Sequence, residues 1–109
     1  MTEVIALAVL STFPDAETAA RVARTLVDER LAACVNLVPA IRSIYRWQGA
    51  ISDDAEALAI IKTTADRYPA LAARISELHP YEVPEIVALP LAAGHPPYLA
   101  WLAGQVDPP

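Results

Sequence analysis

The heptapeptide His79-Pro80-Tyr81-Glu82-Val83-Pro84-Glu85 constrains the fold more than any other stretch of this chain. Its prolines fix φ and push the residues before them, His79 and Val83, out of helical geometry. A helix must stop here and an extended segment must begin. Directly after it comes the apolar run Ile86 to Ala93, IVALPLAA, which reads as a buried strand. An imidazole, a phenol and carboxylates therefore sit on stiffened backbone just before a core strand. Two readings fit: a rigid connection whose polar groups face water, or a site.

The rest of the chain falls around this point. Glu3 to Thr12 predicts a first strand, and Pro14 and Asp15 open a helix by a preset φ and a capping carboxylate. The helix's apolar residues, including Ala19, Val22, Ala23 and Leu26, recur at spacings of three and four. Ala32 to Trp47 predicts a long second strand, bent or bulged at Pro39, because proline cannot donate to the ladder. Gln48-Gly49 is a hairpin turn signal. Glu56 to Thr64 is the third strand, Asp66 to Leu78 the second helix and Ile86 to Ala93 the fourth strand. Pro97 to Ala103 is a short closing helix stopped by Gly104. The order β-α-β-β-α-β with a C-terminal helix is the ferredoxin-like pattern, an α+β class, in a single domain over residues 1–109.

Strands one, three and four are largely apolar on both alternating sets of residues. Two main helices cover one face of such a sheet, and a half-solvated antiparallel sheet would alternate apolar with polar. The second face therefore calls for another chain. Net charge is −5 and the seven arginines are scattered, with Lys62 the only lysine, which argues against nucleic acid as a partner. No apolar run approaches the ~20 residues that span a bilayer, and no basic start precedes a hydrophobic segment. The expectation is a cytoplasmic protein with no membrane partner. The single cysteine, Cys34, has no intrachain disulfide partner and lies in an apolar stretch, where it reads as a small buried hydrophobe; a reactive thiol is the minority reading.

Several motifs come together in order. LAACVNLVP (Leu31 to Pro39), Ile44-Tyr45-Arg46-Trp47-Gln48-Gly49, Ile60-Ile61-Lys62-Thr63, the His79–Glu85 heptapeptide and Tyr98-Leu99-Ala100-Trp101 cover most of the chain. Together they resemble the CutA family, the divalent-cation tolerance proteins. The resemblance implies a homotrimer with its sheets packed about a threefold axis and long strands reaching between subunits. It also implies copper or another divalent cation as ligand, with no cofactor required. In some relatives a cysteine stands at the position of Ser11 and a histidine at that of Leu78. This chain keeps only His79 of that set, so His79 is the candidate metal residue and weak metal binding is expected. The whole soft-ligand inventory is Cys34, His79, His95 and Met1.

Other chemistry is sparse. Glu56, Leu58, Ile60 and Lys62 share one face of the third strand by the period-two rule. An ammonium there needs a partner, and Glu56 or Glu85 is the nearest by pattern. The expected ligand cleft is Tyr45, Trp47, Glu56, Lys62, Tyr81 and Glu85. Ion pairing at a subunit boundary and packing of Tyr45 and Trp47 against a neighbour are the plainer readings of the same residues. No nucleophile–base–orienter set is visible and no glycine-rich phosphate loop exists, so an enzyme using Lys62, His79 and Glu85 ranks last. The expected function is a non-enzymatic trimer in divalent-metal tolerance. The alternative is a trimeric signalling protein that senses a small molecule in an intersubunit cleft, by architectural analogy with the nitrogen-regulatory trimers.

Overall fold

The computed structural model describes residues 4–106. Glu3, the start expected for the first strand, and Met1 lie outside the described residues. The elements run β1 (Ala6–Phe13), α1 (Ala16–Asp28), β2 (Cys34–Trp47), β3 (Ala50–Thr64), α2 (Tyr68–Leu78), β4 (Val87–Pro90) and α3 (Pro96–Gln105). They form one antiparallel sheet in the order β2-β3-β1-β4, the expected ferredoxin-like arrangement. Asp15 caps α1 as its position predicts, its carboxylate accepting the Thr18 N–H at 2.7 Å. That bond holds the Asp15 carboxyl below its ordinary pKa.

The long β2–β3 hairpin carries the main departure from the sequence reading. β3 begins at Ala50, not at Glu56, so Ala50 to Ala55 belong to the strand. Ser52, Asp53 and Asp54 are poor strand formers, but each pairs across to β2: Tyr45 with Ser52, Ile44 with Asp53 and Ser43 with Asp54. Cross-strand bonds then hold them, Arg42 gripping Asp53 through two bonds of 2.9 and 2.7 Å. The turn is Gln48-Gly49, with φ of 50° and 81°, the positive pair that a two-residue type I′ hairpin requires.

Pro39 interrupts the ladder as anticipated. Val38 faces Leu58 and Ile41 faces Glu56, so Pro39 and Ala40 together oppose only Ala57. The extra residue reverses the alternation along β2. Cys34, Asn36 and Val38 share a face before the bulge, and Ile41, Ser43, Tyr45 and Trp47 continue on that same face after it.

Three other boundaries move. β4 covers only Val87–Pro90, because its partner β1 begins at Ala6 and the last bond it offers is Leu91 N–H to the Ala6 carbonyl at 3.0 Å. α2 starts at Tyr68 because Asp66 is taken up in a turn, accepting from the Thr64 hydroxyl. α3 runs through Gly104 to Gln105; Leu102 and Val106 pack on Ala6 and Ala33, and that burial outweighs the ~1 kcal/mol cost of a helical glycine.

The core lies between the sheet and the α1–α2 layer. Val9, Phe13, Ala57, Ala59 and Ile61 meet Leu26, Leu71 and Ile75, all of them essentially sealed from water. On the opposite face α3 covers one end, where Leu102 is fully buried. The remainder of that face stays open: Val87, Leu89 and Val38 are 47%, 53% and 37% exposed.

Candidate functional site

The loop after α2 does what its prolines predict. His79 is extended, at φ −76° and ψ 136°, and ends the helix. Its ring is buried and stacks on Phe13 with centroids 4.5 Å apart. Nδ1 accepts the Tyr81 N–H at 3.0 Å, and Nε2 lies 2.7 Å from the Thr12 carbonyl oxygen. The two bonds together select the tautomer with the proton on Nε2, which donates to Thr12. Both nitrogens are thereby engaged, and a metal reaches His79 only by displacing one of these bonds. The imidazole pins the loop to the end of β1.

Pinned in this way, the loop presents Tyr81 to the hairpin. The Tyr81 hydroxyl donates to Glu56 Oε2 at 2.8 Å. Burial, reinforced by that carboxylate, pushes the phenol well above its ordinary pKa. A parallel bond stands further along the arm, where the Tyr45 hydroxyl donates to Asp54 Oδ2 at 2.6 Å and its pKa is raised by that contact. Between the loop and the arm lies a groove of about 720 Å³, lined by Thr12, Ser43, Ile44, Tyr45, Trp47, Glu56, Pro80, Tyr81, Glu82, Val83 and Glu85.

Five of the six expected cleft residues therefore meet: Tyr45, Trp47, Glu56, Tyr81 and Glu85. Lys62 does not. Its ammonium donates to Asn36 Oδ1, not to Glu56 or Glu85. The period-two rule places Glu56 and Lys62 on one face, but six residues of strand separate them by roughly 20 Å. Register puts Glu85 at the wrong end too, since Leu89 lies across from Ala8, the residue that faces Lys62, while Glu85 lies beyond Val87 and Leu10.

Cys34 is half-buried, not sealed in the core, and its Sγ is 3.6 Å from the Tyr98 hydroxyl. Asp54 and Asn36 went unread in the sequence. Asp54 follows the same alternation as Glu56 and was hidden only by the late start assigned to β3; nothing local marks Asn36. At the two positions where the resemblance implies other ligands, Ser11 is fully buried and its hydroxyl has no hydrogen-bond partner among the described residues, and Leu78 packs against the core. Among the described residues no group of three His, Cys, Asp or Glu is placed to hold a metal ion.

An antiparallel ferredoxin-like sheet with a long hairpin arm and a pinned histidine loop defines the class. The chain belongs to the CutA1 divalent ion tolerance protein family, which its residues 7–105 match. It is 56% identical over 94 residues to the divalent-cation tolerance protein CutA of Thermus thermophilus, covering 86% of this chain and 91% of that one. With the mouse protein CutA it shares 50% identity over 91 residues, covering 84% of this chain but only 51% of the mouse protein. Among solved structures, CutA1 of Oryza sativa superimposes with a TM-score of 0.93 at 42% identity, covering 98% of both chains.

Proposed function

We propose that this chain acts as a non-catalytic homotrimer in the tolerance of divalent cations, copper among them, and that each subunit binds metal weakly. The family match across residues 7–105 is the observation that carries the reading, and the relatives bear the name of tolerance proteins. Weak binding follows from the site. His79 has both nitrogens engaged, and Ser11 and Leu78 supply neither thiol nor imidazole.

The homotrimer is supported by the uncovered sheet face, where Val38, Val87 and Leu89 lie open. The chain's extension supports it as well. Its radius of gyration is 14.5 Å with extents of 49 × 26 × 22 Å, against roughly 13 Å for a compact chain of this length. An arm that leaves its own domain gains burial by lying on a neighbour.

Copper(II) titration by calorimetry, on untagged protein whose mass is measured by light scattering, tests both parts. A trimer with affinity in the micromolar range or weaker, reduced by His79→Ala, is the expected result. Nanomolar binding that survives His79→Ala, or a monomer at micromolar concentration, overturns the corresponding part. A second reading, in which the groove senses a small molecule, is favoured by its volume of about 720 Å³, well inside the range of ligand pockets.

A further inference from the structure

We propose that the groove between the hairpin arm and the His79–Glu85 loop binds an organic ammonium, preferentially a primary amine or diamine that carries N–H donors. This rests on the small-molecule reading of the groove and names the class of ligand it takes.

The sign of charge comes first. Glu56, Glu82 and Glu85 line the groove, and none of the lining residues is a lysine or arginine. Lys62, the residue that would have matched an anion, is bonded to Asn36 elsewhere on the sheet. An anionic ligand would enter against three carboxylates without a counter-charge. A cation is drawn to them, and the chain's net charge of −5 favours its approach.

The walls then distinguish an organic cation from a metal ion. Tyr45, Trp47 and Tyr81 contribute aromatic rings, whose faces attract an ammonium. A metal ion asks for several converging ligands, and among the described residues no three His, Cys, Asp or Glu converge. A space of about 720 Å³ also holds a carbon chain with its amine, far more than a bare ion.

Hydrogen-bond polarity selects among ammonium ions. Both groove phenols point their protons at carboxylates, Tyr81 at Glu56 and Tyr45 at Asp54. The two phenols are left with acceptor capacity toward a ligand, beside the carboxylate lone pairs of Glu56, Glu82 and Glu85, while the Thr12 and Ser43 hydroxyls and the Trp47 indole N–H are the donors in the lining. Phenols are protonated at neutral pH in any case, and burial with the Glu56 bond at Tyr81 and the Asp54 bond at Tyr45 raise both further. A primary ammonium satisfies such acceptors with three N–H groups, whereas a quaternary ammonium offers none. A diamine can reach separate carboxylates with its two ends.

Calorimetric titration of the full chain at low ionic strength with putrescine tests this, with tetramethylammonium, succinate and magnesium chloride as the other arms. The expected order is putrescine above tetramethylammonium, with no succinate binding. Glu56→Gln is expected to weaken putrescine about tenfold, the loss of one charge-assisted bond, and Trp47→Ala about threefold, the loss of one aromatic face. Circular dichroism verifies that both variants are folded. Asp53→Asn removes one negative charge paired with Arg42 outside the groove lining, and is expected to leave the affinity unchanged.

Absent putrescine binding, succinate binding as tight as putrescine, or equal losses in Asp53→Asn and Glu56→Gln each overturn the proposal. So does magnesium binding that Glu56→Gln abolishes where putrescine does not bind. Light scattering on the same samples separates this from the assembly reading. A monomer that binds putrescine supports the ligand class and overturns the trimer, while a trimer that ignores putrescine overturns the ligand class alone.

Discussion

The two halves of the β2–β3 hairpin share a ladder but not an environment. In the half beside the helices, Ala57, Ala59 and Ile61 are essentially sealed. Beyond the Pro39 bulge, Ile44, Trp47 and Ile51 are 65%, 47% and 62% exposed. The inner half is held by packing, the outer half by cross-strand polar pairs such as Arg42–Asp53 and Tyr45–Asp54. Burial holds the inner half in place, whereas the outer half carries large apolar side chains that the chain's own core does not cover.

Substitutions sharpen that contrast, and the largest effect belongs to the inner half. Ile61→Ala leaves a cavity in a fully buried site and is expected to lower stability by about 2–5 kcal/mol in denaturant titrations. Ile51→Ala, at the exposed end of the arm, is expected to fall within about 0.5 kcal/mol for a single chain in solution. A loss at Ile51 that matches Ile61 and depends on protein concentration would show that the arm is buried in an assembly.

Tyr81→Phe comes next. It removes the hydroxyl bonded to Glu56 and is expected to cost about 1 kcal/mol, the hydrogen-bond value reduced for partial exposure. The same contact has a pH signature. The folded phenol has a pKa raised above its ordinary 10.0, so the folded chain keeps a proton that the unfolded chain releases. Its stabilisation is whole below about pH 10 and is lost as pH rises further. Alkaline melting curves of Tyr81→Phe should be flatter than those of the parent; equal slopes would place the loss elsewhere.

Ser11→Ala is expected to act in the opposite direction, raising stability by about 1 kcal/mol, because the hydroxyl it removes is buried without a partner among the described residues. Destabilisation on thermal or chemical unfolding would mean that the hydroxyl has a partner in solution. Arg42→Ala should have the smallest effect, too small to resolve in a denaturant melt, since its pairing with Asp53 lies in water. A clear loss there would make the arm's polar ladder structural after all.

Most of the architecture was legible because its signals are local. Asp15 caps α1, Pro80 ends α2 after His79, Gln48-Gly49 turns the hairpin, and Pro39 breaks the ladder; each acts through its own backbone torsion or its nearest amides. The site was legible by halves. Tyr45, Trp47, Glu56, Tyr81 and Glu85 do meet, yet the outer part of β3 with Asp54 was hidden by residues that seldom build strands. Lys62 shared a face with Glu56 in the pattern, and a face is a direction without a distance.

The sequence by itself determined where the hairpin turns, where α1 is capped and where α2 stops, and which side chains alternate toward a common face. Those choices follow from φ restrictions, capping and periodicity, which reach only a few residues along the chain. Only the tertiary structure decided that Tyr81 meets Glu56, that Lys62 meets Asn36, and that His79 has both nitrogens engaged between Thr12 and its own loop. Contacts between residues far apart in the chain depend on strand register, and a single bulge shifts that register for every residue beyond it.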